Sequence, residues 1–173
     1  TNIPLLIEKF KFIETEDKLI CQRICKEIFE RILYPTDFSG ASLSALPVIK
    51  QLKSTGAKEA VVVHIQDTRR LLPYLAKRMD EFNKTDTTRL EEIKNQLESI
   101  GYQVKIILRD GVPFVEINKI AEEEGVSAIV LSTKGKSAVK EVFLGSTSEE
   151  IARRHIRPVL FIPASEEDSD ERK

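Results

Sequence analysis

Two short loops hold the residues whose types and spacing could do chemistry. The first reads Ser132-Thr133-Lys134-Gly135-Lys136-Ser137, and nine residues after Gly135 a second glycine opens Gly145-Ser146-Thr147. A phosphate needs backbone N–H donors that can approach closely, which favours Gly135 and Gly145, and it gains from the positive end of a helix dipole at Ser146 to Ser148. Hydroxyls of Ser146 and Thr147 can donate as well. The same residues have a purely structural use, because Ser146-Thr147-Ser148-Glu149 has the spacing of a capping box. Asp37, one step past Thr36, offers a carboxylate that could accept from a ribose hydroxyl or a base, or could close a local turn with Ser39.

These loops need a scaffold, and from Arg31 onward the chain alternates short β-branched apolar runs with longer stretches of helical period, the pattern of βαβ units around a parallel sheet. Strands are expected at Arg31 to Pro35, Glu59 to Ile65, Tyr102 to Leu108, Ser127 to Leu131 and Arg157 to Ile162. Helices are expected from Ser39 to about Ser54, from about Pro73 to Ser99, from Pro113 to Glu124 and from Ser146 to His155. Leu43, Leu46, Ile49 and Leu52 face inward in the first, and Leu90, Ile93, Leu97 and Ile100 keep helical spacing in the second. Right-handed crossovers then favour a doubly wound, five-stranded parallel sheet of order 3-2-1-4-5, Rossmann-like, with its topological switch between the first and fourth strands. Ligands bind such sheets at the carboxyl ends of the strands flanking the switch, where Pro35 to Ser39 and Leu131 to Thr147 lie.

Composition narrows the function classes. Of 173 residues, 27 are Lys or Arg and 28 Asp or Glu, so no overall positive field attracts nucleic acid or an anionic membrane. No apolar run approaches the roughly 20 residues of a membrane-spanning helix. Cys21 and Cys25 sit four apart, a spacing poor for a disulfide within a helix, which points to buried thiols and a cytoplasmic setting. His64 stands inside an apolar strand run with no second ligand at useful spacing, and reads as structural. Arg69, Arg70, Lys77 and Arg78, in the stretch Asp67 to Arg78, read as a solvated helix face, with a lid closing over a ligand at the crevice as the alternative.

The N-terminal 30 residues stand outside the alternation. Ile3-Pro4-Leu5-Leu6-Ile7 repeats the proline placement and apolar run of Arg157-Pro158-Val159-Leu160-Phe161-Ile162. Residues 1–30 are therefore expected to carry the last strand of a preceding similar domain and a linker helix around Asp17 to Glu30. The main domain spans 31–163, and 164–173 is a charged, disordered tail. The apolar final strand, Pro158 to Ile162, invites edge pairing, as a homodimer or as a tandem-domain pseudo-dimer with Ile3 to Ile7.

Taken together, Ile32-Leu33-Tyr34-Pro35-Thr36-Asp37-Phe38-Ser39, Val62-Val63-His64-Ile65, Gly111-Val112-Pro113 and the stretch Ser132 to Thr147 resemble the universal stress protein family over roughly Arg31 to Pro163. Its nucleotide-binding branch carries a glycine, two residues, a second glycine, nine residues, then glycine with serine or threonine. The resemblance implies an adenine nucleotide, ATP or AMP, with Mg accompanying a triphosphate. Gly135, Gly145 and Ser146 would hold phosphates, helped by Lys136 and Thr147. Leu131 and Ser132 would lie along the ribose, Thr133 and Thr36 would stand in the same two loops, Asp37 and Pro35 would flank the adenosine, and backbone near Ile65 would meet the base. Ser132 replaces the family's first glycine, where its side chain could crowd the ribose or bond to it. The expected role is a stress-response sensor or regulatory module. A slow ATPase using Asp37 and Lys136, and a nucleotide-free dimerisation module, are the alternatives; no strong catalytic apparatus is visible.

Overall fold

The computed structural model describes residues 5–7, 27–69, 79–133 and 145–163, with side chains for 27–69, 81–133 and 145–163. The linker helix, both cysteines, Arg70 to Arg78, Lys134 to Leu144 and the charged tail lie outside these residues or, for the linker helix, almost wholly so.

Six strands form one sheet in the order β1-β6-β5-β2-β3-β4: β1 Leu5–Ile7, β2 Arg31–Pro35, β3 Glu59–Asp67, β4 Gln103–Gly111, β5 Ala128–Thr133 and β6 Val159–Pro163. The five from β2 onward are parallel, in the 3-2-1-4-5 order that the alternation implies. β1 adds antiparallel to β6.

The apolar runs split by residue parity, as a pleated strand requires. Ile32, Tyr34, Ala60, Val62, Ala128, Val130, Leu160 and Ile162 face one helical layer, while Leu33, Val61, Val63, Ile129, Leu131, Val159 and Phe161 face the other. The first layer holds α1 (Gly40–Leu43), α2 (Leu46–Leu52) and α3 (Met79–Glu98). The second holds α4 (Pro113–Glu123) and α5 (Ser146–Arg154).

Two helices differ from expectation. The single helix from Ser39 to Ser54 is broken at Ser44 and Ala45, because Pro47 has no N–H to donate to Leu43 and its ring crowds that carbonyl. Leu46, Ile49 and Leu52 still reach the core, and Leu43 packs against it half-buried. The second helix ends at Glu98, so Ile100 falls in the following turn and is 39% exposed, whereas Leu90, Ile93 and Leu97 are buried. β3 and β4 each run beyond the expected ends, to Asp67 and Gly111, paired along their whole length.

Tyr102 fastens α2 to the start of β4: its hydroxyl donates to the Ile49 carbonyl at 2.7 Å, and Lys53 Nζ lies 4.9 Å from its ring centre. Burial pushes its phenol pKa from 10.0 up to about 12. The neutral form is therefore favoured in the folded state, and its contribution is intact below pH 10 and lost as pH rises toward about 12. Tyr102→Phe is predicted to cost about 1 kcal/mol at neutral pH, from the lost hydrogen bond. It should also reduce the alkaline fall in stability, leaving the part due to other groups, among them the more deeply buried Tyr34. Urea denaturation at neutral pH and across the alkaline range checks both.

Candidate functional site

β2 ends at Pro35, but pairing continues one residue further, since the Thr36 N–H donates to the Val63 carbonyl at 2.8 Å. Thr36 is buried, and its hydroxyl does local work: it accepts the Phe38 N–H at 3.0 Å and meets the Ser42 hydroxyl at 2.9 Å. Tyr34 reaches the same turn and donates to the Ser42 carbonyl at 2.8 Å, and its burial raises its pKa.

This turn holds Phe38 at φ 59°, a left-handed conformation that costs a residue with a Cβ about 1–2 kcal/mol. The Phe38 ring is held in return. It lies 4.5 Å from the His64 ring centre, with the Arg89 guanidinium 5.4 Å from its own. His64 closes the arrangement from β3. Its Nδ1 donates to the Thr36 carbonyl at 2.7 Å, and its Nε2 stands 3.5 Å from Asp86 Oδ2 on α3. The structural reading of His64 is what these bonds describe.

Across the switch, β5 ends in Leu131, Ser132 and Thr133. Ser148, in the first turn of α5, donates to the Ser132 carbonyl at 3.1 Å and so fixes that helix end against β5. Gly145 is the N-cap of α5, in extended conformation and without a side-chain capping bond. The capping box is not formed: the Glu149 carboxylate instead accepts from Arg153 at 2.9 Å, one turn on. The first N–H groups of a nine-residue helix thus stand without a side-chain cap, at its positive end.

Between the two strand ends lies a cavity of about 420 Å³. Its wall includes Pro35, Thr36 and Asp37 from the first loop, Ile65 from β3, Leu131 and Ser132 from β5, and Gly145, Ser146 and Thr147 from α5. Nine of the twelve site residues named from sequence therefore meet on one cavity. Thr133 does not line it; its side chain is buried and its hydroxyl donates to the Ile162 carbonyl at 3.4 Å, toward β6. Gly135 and Lys136 lie outside the described residues.

Asp37 is exposed, and its Oδ1 accepts both the N–H and the hydroxyl of Ser39, at 3.0 and 2.5 Å, so the local turn is present at the cavity rim. Ser132 turns its hydroxyl to the Thr133 carbonyl at 3.3 Å and toward Ser44 at 3.4 Å. Sequence reasoning missed Gln66 and Asp67 at the end of β3 and Phe82 and Asp86 on α3, which line the wall together with Arg69, a turn residue here and not part of a solvated helix face. Gln66 Nε2 donates to Asp86 at 2.9 Å, and Arg69 forms a two-pronged bond to Asp67 at 2.8 Å. The signal available for Gln66 and Asp67 was only that β3 might run two residues longer; Phe82 and Asp86 come from a separate element, α3.

Among the described residues, no helix is long and apolar enough to cross a membrane. The chain is 36% identical over 154 residues to a universal stress protein of Methanocaldococcus jannaschii, MJ0577, covering 78% of this chain and 95% of that one. The solved structure of MJ0577 superposes with a TM-score of 0.70 at 35% identity, over 80% of this chain and 98% of that one. A universal stress protein in complex with cAMP shares the fold at TM-score 0.54 and 23% identity, over 79% and 98% of the two chains. The universal stress protein of Archaeoglobus fulgidus in complex with dAMP shares it at 0.56 and 19%, over 78% and 98%. The model of the universal stress protein family matches residues 28–163, which include both loops, all five parallel strands and the cavity between them, and the chain belongs to that family.

Proposed function

We propose that this chain binds an adenine nucleotide, ATP or AMP, in the cavity between β2 and β5, and acts as a nucleotide-dependent sensor or regulatory module. The observation that carries the reading is the uncapped N-terminus of α5, headed by Gly145, opening onto that cavity. A helix end with unused N–H donors and a positive dipole favours phosphate. The cavity is large enough for a nucleotide-sized ligand and combines apolar walls at Pro35, Ile65 and Leu131 with polar groups such as Asp37, Ser146 and Thr147. The cAMP and dAMP complexes of two proteins sharing the fold support the same ligand class.

In this reading Gly145, Ser146 and Thr147 hold phosphate, Asp37 accepts from the ribose, and the backbone at Ile65 meets the adenine edge. Gly135 and Lys136 complete the phosphate site, and a triphosphate brings Mg with it. The loops after β2 and β5 then order around the ligand and change the surface a partner meets. The same family reading makes Leu5–Ile7 the last strand of a preceding similar domain, supported by its repeat of the β6 sequence and its pairing with β6.

Gly145→Asp separates ligand binding from folding. Aspartate is a favoured N-cap residue, and Gly145 has an ordinary extended conformation, so stability should hold or rise by a few tenths of a kcal/mol. The carboxylate faces the phosphates, so affinity for ATP and AMP should fall by about tenfold or more, some 1.4 kcal/mol. Titration calorimetry beside urea denaturation reads both, and unchanged affinity refutes the phosphate site. Ser132→Gly should change affinity by less than about threefold, because the hydroxyl already turns to the Thr133 carbonyl and Ser44 and does not crowd the ribose.

A further inference from the structure

Gln66 follows Ile65 in β3 and lines the same cavity, with only 7% of its surface exposed. Its amide nitrogen is engaged, Nε2 donating to Asp86 Oδ2 at 2.9 Å. Its amide oxygen is not: Oε1 is buried and meets no hydrogen-bond donor among the described residues. A buried acceptor without a donor costs free energy that an apolar side chain of the same shape would not, so such a group on a cavity wall calls for a reason.

The polarity of that amide is fixed. An ionised carboxylate only accepts, so turning the Gln66 amide over would set its oxygen against Asp86 and lose the bond. Asp86 is held in its turn. It belongs to α3, which Leu90 and Ile93 anchor in the core, and its Oδ2 lies 3.5 Å from Nε2 of His64, whose Nδ1 donates to the Thr36 carbonyl. Phe82, four residues before Asp86 and so on the same face of α3, adds an aromatic side chain to the cavity wall. Where the start of α5 offers N–H donors, the wall made by β3 and α3 therefore offers an aromatic ring and an unpaired acceptor. A flat heterocycle bearing an amino group is the ligand chemistry that uses both.

We propose that Gln66 Oε1 accepts from the exocyclic amino group of the base and so selects adenine over purines that carry a carbonyl at that position, with Asp86 as the positioning residue that keeps the oxygen of the amide available. The proposal rests on the nucleotide reading above and goes beyond it by giving base discrimination to a side chain. Hypoxanthine and guanine would bring an oxygen to the Gln66 oxygen, acceptor against acceptor, in a place closed to water, where neither finds another partner.

The test is calorimetric titration of the full chain with three ligands that differ at one position of the base: AMP, purine riboside monophosphate, which has a hydrogen in place of the amino group, and inosine monophosphate, which has an oxygen there. The parent chain should bind AMP about tenfold more tightly than either of the others. In Gln66→Met, which keeps the length of the side chain and loses the amide, affinity for AMP should fall about tenfold while that for purine riboside monophosphate changes by less than about twofold. A role in packing alone would weaken both ligands alike. Asp86→Asn frees the Gln66 amide to turn over, since asparagine both donates and accepts, and should shift the preference toward inosine monophosphate by about threefold or more. Circular dichroism and urea denaturation report whether each variant keeps its fold, and the nearly isosteric Asp86→Asn carries the test if Gln66→Met does not. A parent chain that binds AMP and purine riboside monophosphate equally, a folded Gln66→Met that keeps the preference, or an Asp86→Asn without a shift would overturn the proposal and leave the nucleotide reading standing. A parent chain that binds none of the three would overturn both.

Discussion

Everything at the site follows from the point where the chain leaves the sheet in opposite directions. From β2 it crosses to β3 on one side, and from β5 to β6 on the other, so the loops after β2 and β5 part and leave a crevice between them. Elsewhere β2, β3 and β5, in the middle of the sheet, are largely buried on both faces and their backbone groups are spent on one another. Backbone N–H groups free for a ligand are therefore concentrated at the crevice, where α5 begins without a side-chain cap.

The two sides of the crevice are held by different means. On the β2 side a chain of short polar contacts runs from Tyr34 through Ser42 and Thr36 to His64, fixing a turn that keeps Phe38 left-handed. Its strain is offset by ring contacts with His64 and Arg89, and the turn so held carries Asp37 at the rim. On the β5 side a single bond from Ser148 to the Ser132 carbonyl sets the start of α5. The glycine at that start leaves the helix end open where a serine or aspartate would have closed it.

The sheet order and both layers of the core were legible because periodicity reports burial, and parallel strands buried on both faces give continuous apolar runs such as Ala60 to Val63. The helix break was also written in the chain, at Pro47, but apolar spacing across it kept its period and concealed it. Strand ends were harder to read. Gln66 and Asp67 look like loop residues, and they extend β3 only because β4 lies alongside to pair with them. The role of the Ser146 stretch was ambiguous, since one spacing serves a capping box or an anion site. It is the pairing of Glu149 with Arg153 that decides against the box. Asp86 left no local signal at all, because it reaches the site from α3, a separate element that packs over β3 and bonds there to Gln66 and His64.

The most direct measurement is mass spectrometry of the small molecules released when the purified full chain is denatured, followed by calorimetric titration of ATP and AMP with and without magnesium. An adenine nucleotide released in near-stoichiometric amount, or saturable binding of ATP or AMP at one site, is the result expected of an open helix end at the switch point. A chain that releases none and binds neither nucleotide would contradict it.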